Sequence, residues 1–184
     1  MYKFNLIWLV IIFTVLNGCA QSSALLKAGS TSVRTDIFQE LTNGGPVPGE
    51  LADLHITATL KTHKPGVYSA KDLHGTPGYT MLVNVDGQAV VLLGSLQKET
   101  DGVRYSFSKD LRLKAGTHSI VVALPADKIA VEKEVTLVKG EMNNLALEPV
   151  YGTISEKRRP SASKISSFEE GIRGIALTFN GRSI

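Results

Sequence analysis

From residue 54 onward, apolar and polar side chains alternate with a period of two, a pattern that fits β-strands and little else. Leu54, Ile56, Ala58 and Leu60 interleave with His55, Thr57, Thr59 and Lys61, as in a half-buried strand. The stretches 79–85 and 88–94 flank Asp86-Gly87, a dipeptide suited to the positive φ angles of a type I′ hairpin turn. Val103, Tyr105, Phe107, Leu111 and Leu113 continue the alternation; Lys109 interrupts the apolar row and predicts a break or bulge. Residues 118–124 are apolar on both faces, as in a strand covered on both sides. Stretches 129–137, 143–149 and 175–179 complete eight strands, separated by turns at 114–117, Lys139-Gly140 and Asn180-Gly181. No convincing helix exceeds two turns. The expected fold is all-β, an antiparallel sandwich of about 7–8 strands.

The first 50 residues read differently. Lys3 precedes an apolar run over 4–16, broken only by Asn5 and Thr14. Thirteen helical residues cover about 20 Å, short of the ~30 Å hydrocarbon core, so the run reads as the apolar part of an export leader. It ends at Leu16-Asn17-Gly18-Cys19, which contains the only cysteine in the chain. This tetrapeptide resembles the bacterial lipobox, with Leu16, Gly18 and Cys19 at the matching positions and Asn17 at a variable one. The resemblance implies cleavage after residue 18, a covalent lipid on Cys19, and attachment to the membrane through it. Two or three acyl chains hold firmly where one holds marginally. The alternative is an ordinary secretory leader followed by a free thiol. By the sorting pattern of such lipoproteins, Ala20 in place of Asp implies the outer membrane. The expected layout is a leader over 1–18, a lipidated N-terminus and flexible tether over 19–50, and a β-domain over 51–184. Within the tether, Asp36 and Gln39 suit either a short capped helix or a peripheral strand.

A second resemblance lies inside the β-domain. Residues 82–90, LVNVDGQAV, and 111–125, LRLKAGTHSIVVALP, are similar to the PEGA-type module, as is the continuation through EKEVTLVKGE to Leu147. That module is a small surface-layer domain shaped like an immunoglobulin-like sandwich. The match spans about 80–149 and lacks the Pro-Glu-Gly-Ala tetrapeptide itself. It implies an immunoglobulin-like sandwich with a structural or binding role, and supplies no catalytic residue.

Charge and motifs point the same way. The chain carries a formal +3, of which Lys3 leaves with the leader, so no nucleic-acid partner is implied. No G-x-S-x-G, P-loop or H-E-x-x-H sequence occurs. Glu169-Glu170, adjacent and beside Gly171, reads as a solvated pair, and Lys157-Arg158-Arg159 as a solvated loop or a contact with lipid or phosphate. His118 follows a glycine turn and suits a strand cap. His63 and His74 share one loop and can meet, but a metal needs further donors and Asp72 is the only carboxylate near them in sequence. No metal, cofactor beyond the lipid, or catalytic residue is expected.

If each connection reverses the chain, the short turns fall at one end and the segments 62–78, 95–102, 125–128 and 150–173 at the other. Loops beyond about 12–15 residues are usually functional or disordered, and 62–78 and 150–173 exceed that. The candidate contact surface is therefore His63, Lys64, Tyr68, His74, Tyr79, Lys157, Arg158 and Arg159. The function expected is a non-enzymatic scaffold or protein-binding module of the cell envelope, partnered with another envelope protein. The alternative is a binder of glycan or a small ligand through Tyr68, His63, His74 and Tyr79.

Overall fold

The computed structural model describes residues 24, 25, 28, 34–42, 45–67, 69–153 and 167–184. The leader, Cys19, Tyr68, Lys157, Arg158 and Arg159 lie outside the described residues. Among the described residues, eleven strands form two sheets: β1 (Phe38–Glu40), β2 (Leu51–Thr62), β3 (Thr80–Val85), β4 (Gln88–Leu93), β5 (Ser95–Lys98), β6 (Val103–Lys114), β7 (Gly116–Leu124), β8 (Ile129–Leu137), β9 (Met142–Tyr151), β10 (Ile172–Phe179) and β11 (Arg182–Ser183). Single 3-10 turns occupy Pro125–Asp127 and Phe168–Glu170. One sheet runs β1-β6-β2-β9-β10-β11, with β5 also on β6; the other runs β4-β3-β7-β8. The expected all-β sandwich is what the chain forms, and all pairings are antiparallel except β2 with β9.

Alternation places the core. Leu54, Ile56, Tyr105, Phe107, Leu111 and Leu145 of the larger sheet meet Met81, Val83, Ile120, Val122 and Leu124 of the smaller one, all at most 2% exposed. Burying each such side chain contributes about 1.5–3 kcal/mol relative to leaving it in water. Asp86-Gly87 and Asn180-Gly181 both turn with positive φ at both residues, as their hairpins demand.

Three features depart from what the sequence predicts, and one, the third below, settles a choice it left open. Residues 95–98 are strand β5 rather than loop: the chain crosses between sheets at Gly94 without reversing, where a Cβ would sit 2.9 Å from the Phe107 ring. Its polar composition hides it because it lies on an exposed edge with only Leu96 partly buried. Second, β6 runs through Lys109 with no bulge, in unbroken register with β2. β5 covers 103–106 and β1 covers 111–113, so Lys109 falls in the gap between them and its long stem leads the ammonium out to Glu40. Third, residues 38–40 settle as strand β1, not helix.

Fourth, the segment expected as a tether is partly docked. Ala24, Leu25 and Ala28 are helical, and the two alanines pack on Val121, Ala123, Leu82 and Ala130 of the smaller sheet. This is the second cover that the two-faced apolar pattern of β7 requires. No helix of the described residues is long and apolar enough to cross a membrane.

Candidate functional site at the loop end

β2 ends at Thr62, at the same end of the sandwich as the described residues of 63–79, 99–102, 125–128 and 152–171. These are joined by side chains. The Lys61 ammonium meets Glu99 Oε2 and Asp101 Oδ1, each at 2.6 Å, and lies 4.6 Å over the Phe168 ring. The Lys61 amide donates to the Tyr151 hydroxyl oxygen at 2.7 Å. The result is an open hollow of about 410 Å³, walled by His63, Asp72, His74 and Asp127 on one side and by Phe168, Glu170 and Arg173 on the other. A neighbouring hollow of about 560 Å³ shares His63 and Phe168 and adds Lys64, Val67 and Thr100.

The two histidines do meet. Their ring centroids are 4.7 Å apart, and Asp72 lies between them. His63 Nε2–H donates to Asp72 Oδ2 at 2.7 Å, and His74 Nδ1–H to Asp72 Oδ1 at 2.5 Å. The His74 amide adds a third bond to Oδ1, which fixes the carboxylate. On its far side His74 Nε2–H donates to Asp127 Oδ1 at 3.1 Å, and the Tyr79 hydroxyl donates to Asp127 Oδ2 at 2.6 Å. What holds the loop in this shape is its waist, where Gly75, with φ of +73°, packs directly on Pro65.

Two corrections follow. Tyr79, expected on the contact surface, is 1% exposed and lies behind His74, with ring centroids 5.1 Å apart; its hydroxyl finds its partner in Asp127 and not in solvent. Glu169-Glu170, expected as a solvated pair in a loop, forms a 3-10 turn in which Glu169 is exposed as expected, whereas Glu170 is half-buried and walls the hollow. His63, Lys64 and His74 do line the two hollows. Asp127, Lys61, Phe168 and Arg173 went unnoticed in the sequence. The one available signal was the placement of 125–128 and 150–173 at the same end as 62–78. His55 and His118 lie elsewhere: His55 bonds Asp110 at 2.5 Å, and His118 bridges Asp86 and the Lys114 carbonyl as the expected strand cap.

The electrostatics favour holding over proton abstraction. Burial disfavours the charged forms of both Asp72 and His74, but their partners more than offset it. The His74 amide and the His63 and His74 rings hold the Asp72 carboxyl down at about 2. The hydrogen bonds and charges of Asp127 and Asp72 raise His74 above its ordinary value. Burial, with Asp127 alongside, pushes the Tyr79 phenol well up, so it stays neutral.

A pH dependence follows, with opposite signs for the two groups. The lowered Asp72 stabilises above its ordinary 3.8, and that contribution is lost as pH falls towards 2. The raised His74 stabilises fully below its ordinary 6.5, and that contribution is lost as pH rises through its folded value. In metal-free protein, the stability gap between the native chain and His74→Gln should therefore be widest between about pH 4 and 6.5 and narrow on either side. Urea unfolding across pH measures it, and a gap that widens steadily above pH 7 contradicts this assignment.

No family model matches the chain, and neither a curated protein nor a solved structure matches it. The reading of function therefore rests on the residues themselves.

Proposed function

We propose that the protein is a lipid-anchored lipoprotein of the outer membrane, a non-enzymatic binding or scaffold module that presents its loop end to another envelope protein. The observation that carries this is the convergence of four connections on one end, around two adjoining hollows edged by exposed apolar side chains. Val67 and Leu73, 58% and 46% exposed, stand on the same loop as His63 and His74. Exposed apolar residues beside a polar rim are the usual composition of a protein contact. The anchor is supported by the lipobox-like Leu16-Asn17-Gly18-Cys19, and a structural or binding role by the PEGA-like pattern over 80–149. A non-catalytic reading is supported by the state of the site: His74 is held as a donor between two carboxylates and Tyr79 as a neutral phenol.

The second reading, a small polar ligand or a glycan, is favoured by one specific observation. The 410 Å³ hollow has a size typical of small-molecule sites, with Arg173 and Glu170 in its wall beside the Phe168 ring. Tyr79 takes no part in it as a stacking surface.

Cell fractionation combined with site-directed photo-crosslinking tests the proposal. The native chain should sediment with outer membranes and Cys19→Ser should not. A crosslinker at Lys64 or Thr100 should capture a protein, whereas one at Lys139 or Glu50, at the opposite end, should not. Capture from the opposite end alone would refute the assignment of the working surface. A loop end that captures no protein but retains glycan in sedimentation assays favours the second reading.

A further inference from the structure

We propose that His63, Asp72 and His74 form a three-ligand site for a divalent transition-metal ion, with its remaining coordination position open to the 410 Å³ hollow. The inference is independent of what the loop end contacts. Its first support is the donor set. Two imidazoles and one carboxylate suit zinc, iron or cobalt and do not suit magnesium or calcium, which prefer all-oxygen shells.

The second support is geometry. One ligand atom from each residue lies within 4.8 Å of the other two. Around an ion with bonds of about 2.0–2.2 Å these atoms sit closer still, so only side-chain rotations separate this arrangement from a bound one. The third support is what stands behind the ligands. Metal-bound histidines nearly always give their other ring N–H to a carboxylate or a carbonyl. His74 does so: it meets Asp72 through Nδ1 and Asp127 through Nε2, and Asp127 is itself fixed by the Tyr79 hydroxyl. This outer layer is the more buried, with Asp127 only 6% exposed against 13–15% for His63, Asp72 and His74.

Charge completes the case. Once the two rings give up their protons to become ligands, Asp72 and Asp127 are left as two negative charges in one partly desolvated cluster. The cations in the hollow's wall do not serve it equally, since Lys61 is held by Glu99 and Asp101. A divalent cation bound by His63, Asp72 and His74 balances both. Of the four histidines only these two share a carboxylate; His55 and His118 each have a separate one and serve as internal controls.

The test is titration of the EDTA-stripped full chain with ZnCl2 and CoCl2 at pH 7.5, by calorimetry, absorption and histidine-ring NMR. Expected are one equivalent of each metal, with a Kd at or below about 1 µM for zinc. The cobalt complex should lack the thiolate charge-transfer band that Cys19 would produce. Ring signals of His63 and His74 should shift, and those of His55 and His118 should not. Asp127→Asn should weaken zinc binding by about 10–100-fold, as loss of an outer-layer partner does, and His63→Gln by more. Because the NMR readout uses the native chain, it stands even if a variant folds poorly. No saturable binding, a thiolate band, or shifts confined to His55 or His118 would overturn the proposal.

Discussion

Gly75→Ala should destabilise the domain by about 2–4 kcal/mol, and should part the two histidines whatever the metal content. Two terms add. A φ of +73° is strained for any residue with a side chain, and the new Cβ would sit 2.5 Å from both Cδ and N of Pro65. Neither atom can give way, since one belongs to a closed ring and the other to the backbone. The loop has to open at its waist, and opening there draws 63–65 away from 72–76. The rings, 4.7 Å apart in the native loop, then lose their shared carboxylate. Gly140→Ala is the matched control: φ is +72° there, but nothing lies within 4 Å, so only the backbone term of about 1 kcal/mol applies. Urea unfolding of the two variants separates the terms. Equal losses would mean that the Pro65 contact is not what closes the loop.

Arg112→Met should lower the unfolding midpoint clearly, with no change at the loop end. Arg112 on β6 faces Asp53 on β2 in register, and its guanidinium forks onto both carboxylate oxygens at 2.7 and 2.8 Å. Asp53 is 1% exposed, so removing the arginine leaves a carboxylate with neither water nor a cation. The pair itself is another matter: desolvating two ions offsets most of their attraction, so Asp53→Leu with Arg112→Met should recover much of the loss. Denaturation of the two single variants and the double variant checks this, and a double variant as unstable as Arg112→Met would show that the pair itself is stabilising.

Much of the architecture was legible because alternation is a local signal. Leu54 to Leu60 and Tyr105 to Leu113 announce strands without any knowledge of their neighbours. Asp86-Gly87 announces its hairpin for the same reason. What escaped was whatever depends on partners. β5 has one apolar residue and is a strand because the free edge of β6 runs beside it. Lys109 looks like a break until β1 and β5 are known to leave a gap at that point. At the loop end, proximity of His63 and His74 followed from only ten intervening positions and Asp72 was in view. Asp127 was not, being 53 residues from His74, and reaching it requires the registers of β2, β3 and β7 together.

The loop end has a continuous spine. His63, His74, Tyr79, Tyr105 and Phe107 form a column of rings with successive centroids 4.7, 5.1, 4.9 and 6.1 Å apart, passing from the hollow into the centre of the core. The Tyr105 hydroxyl also donates to the Thr76 carbonyl at 2.8 Å, tying the loop to the column. Surface loops ordinarily open on their own, at little free-energy cost, while the core stays shut. This one is tied down more firmly, because releasing His74 exposes the ring beneath it and that ring rests on the next. Opening the site therefore costs more free energy than opening a loop without such a column.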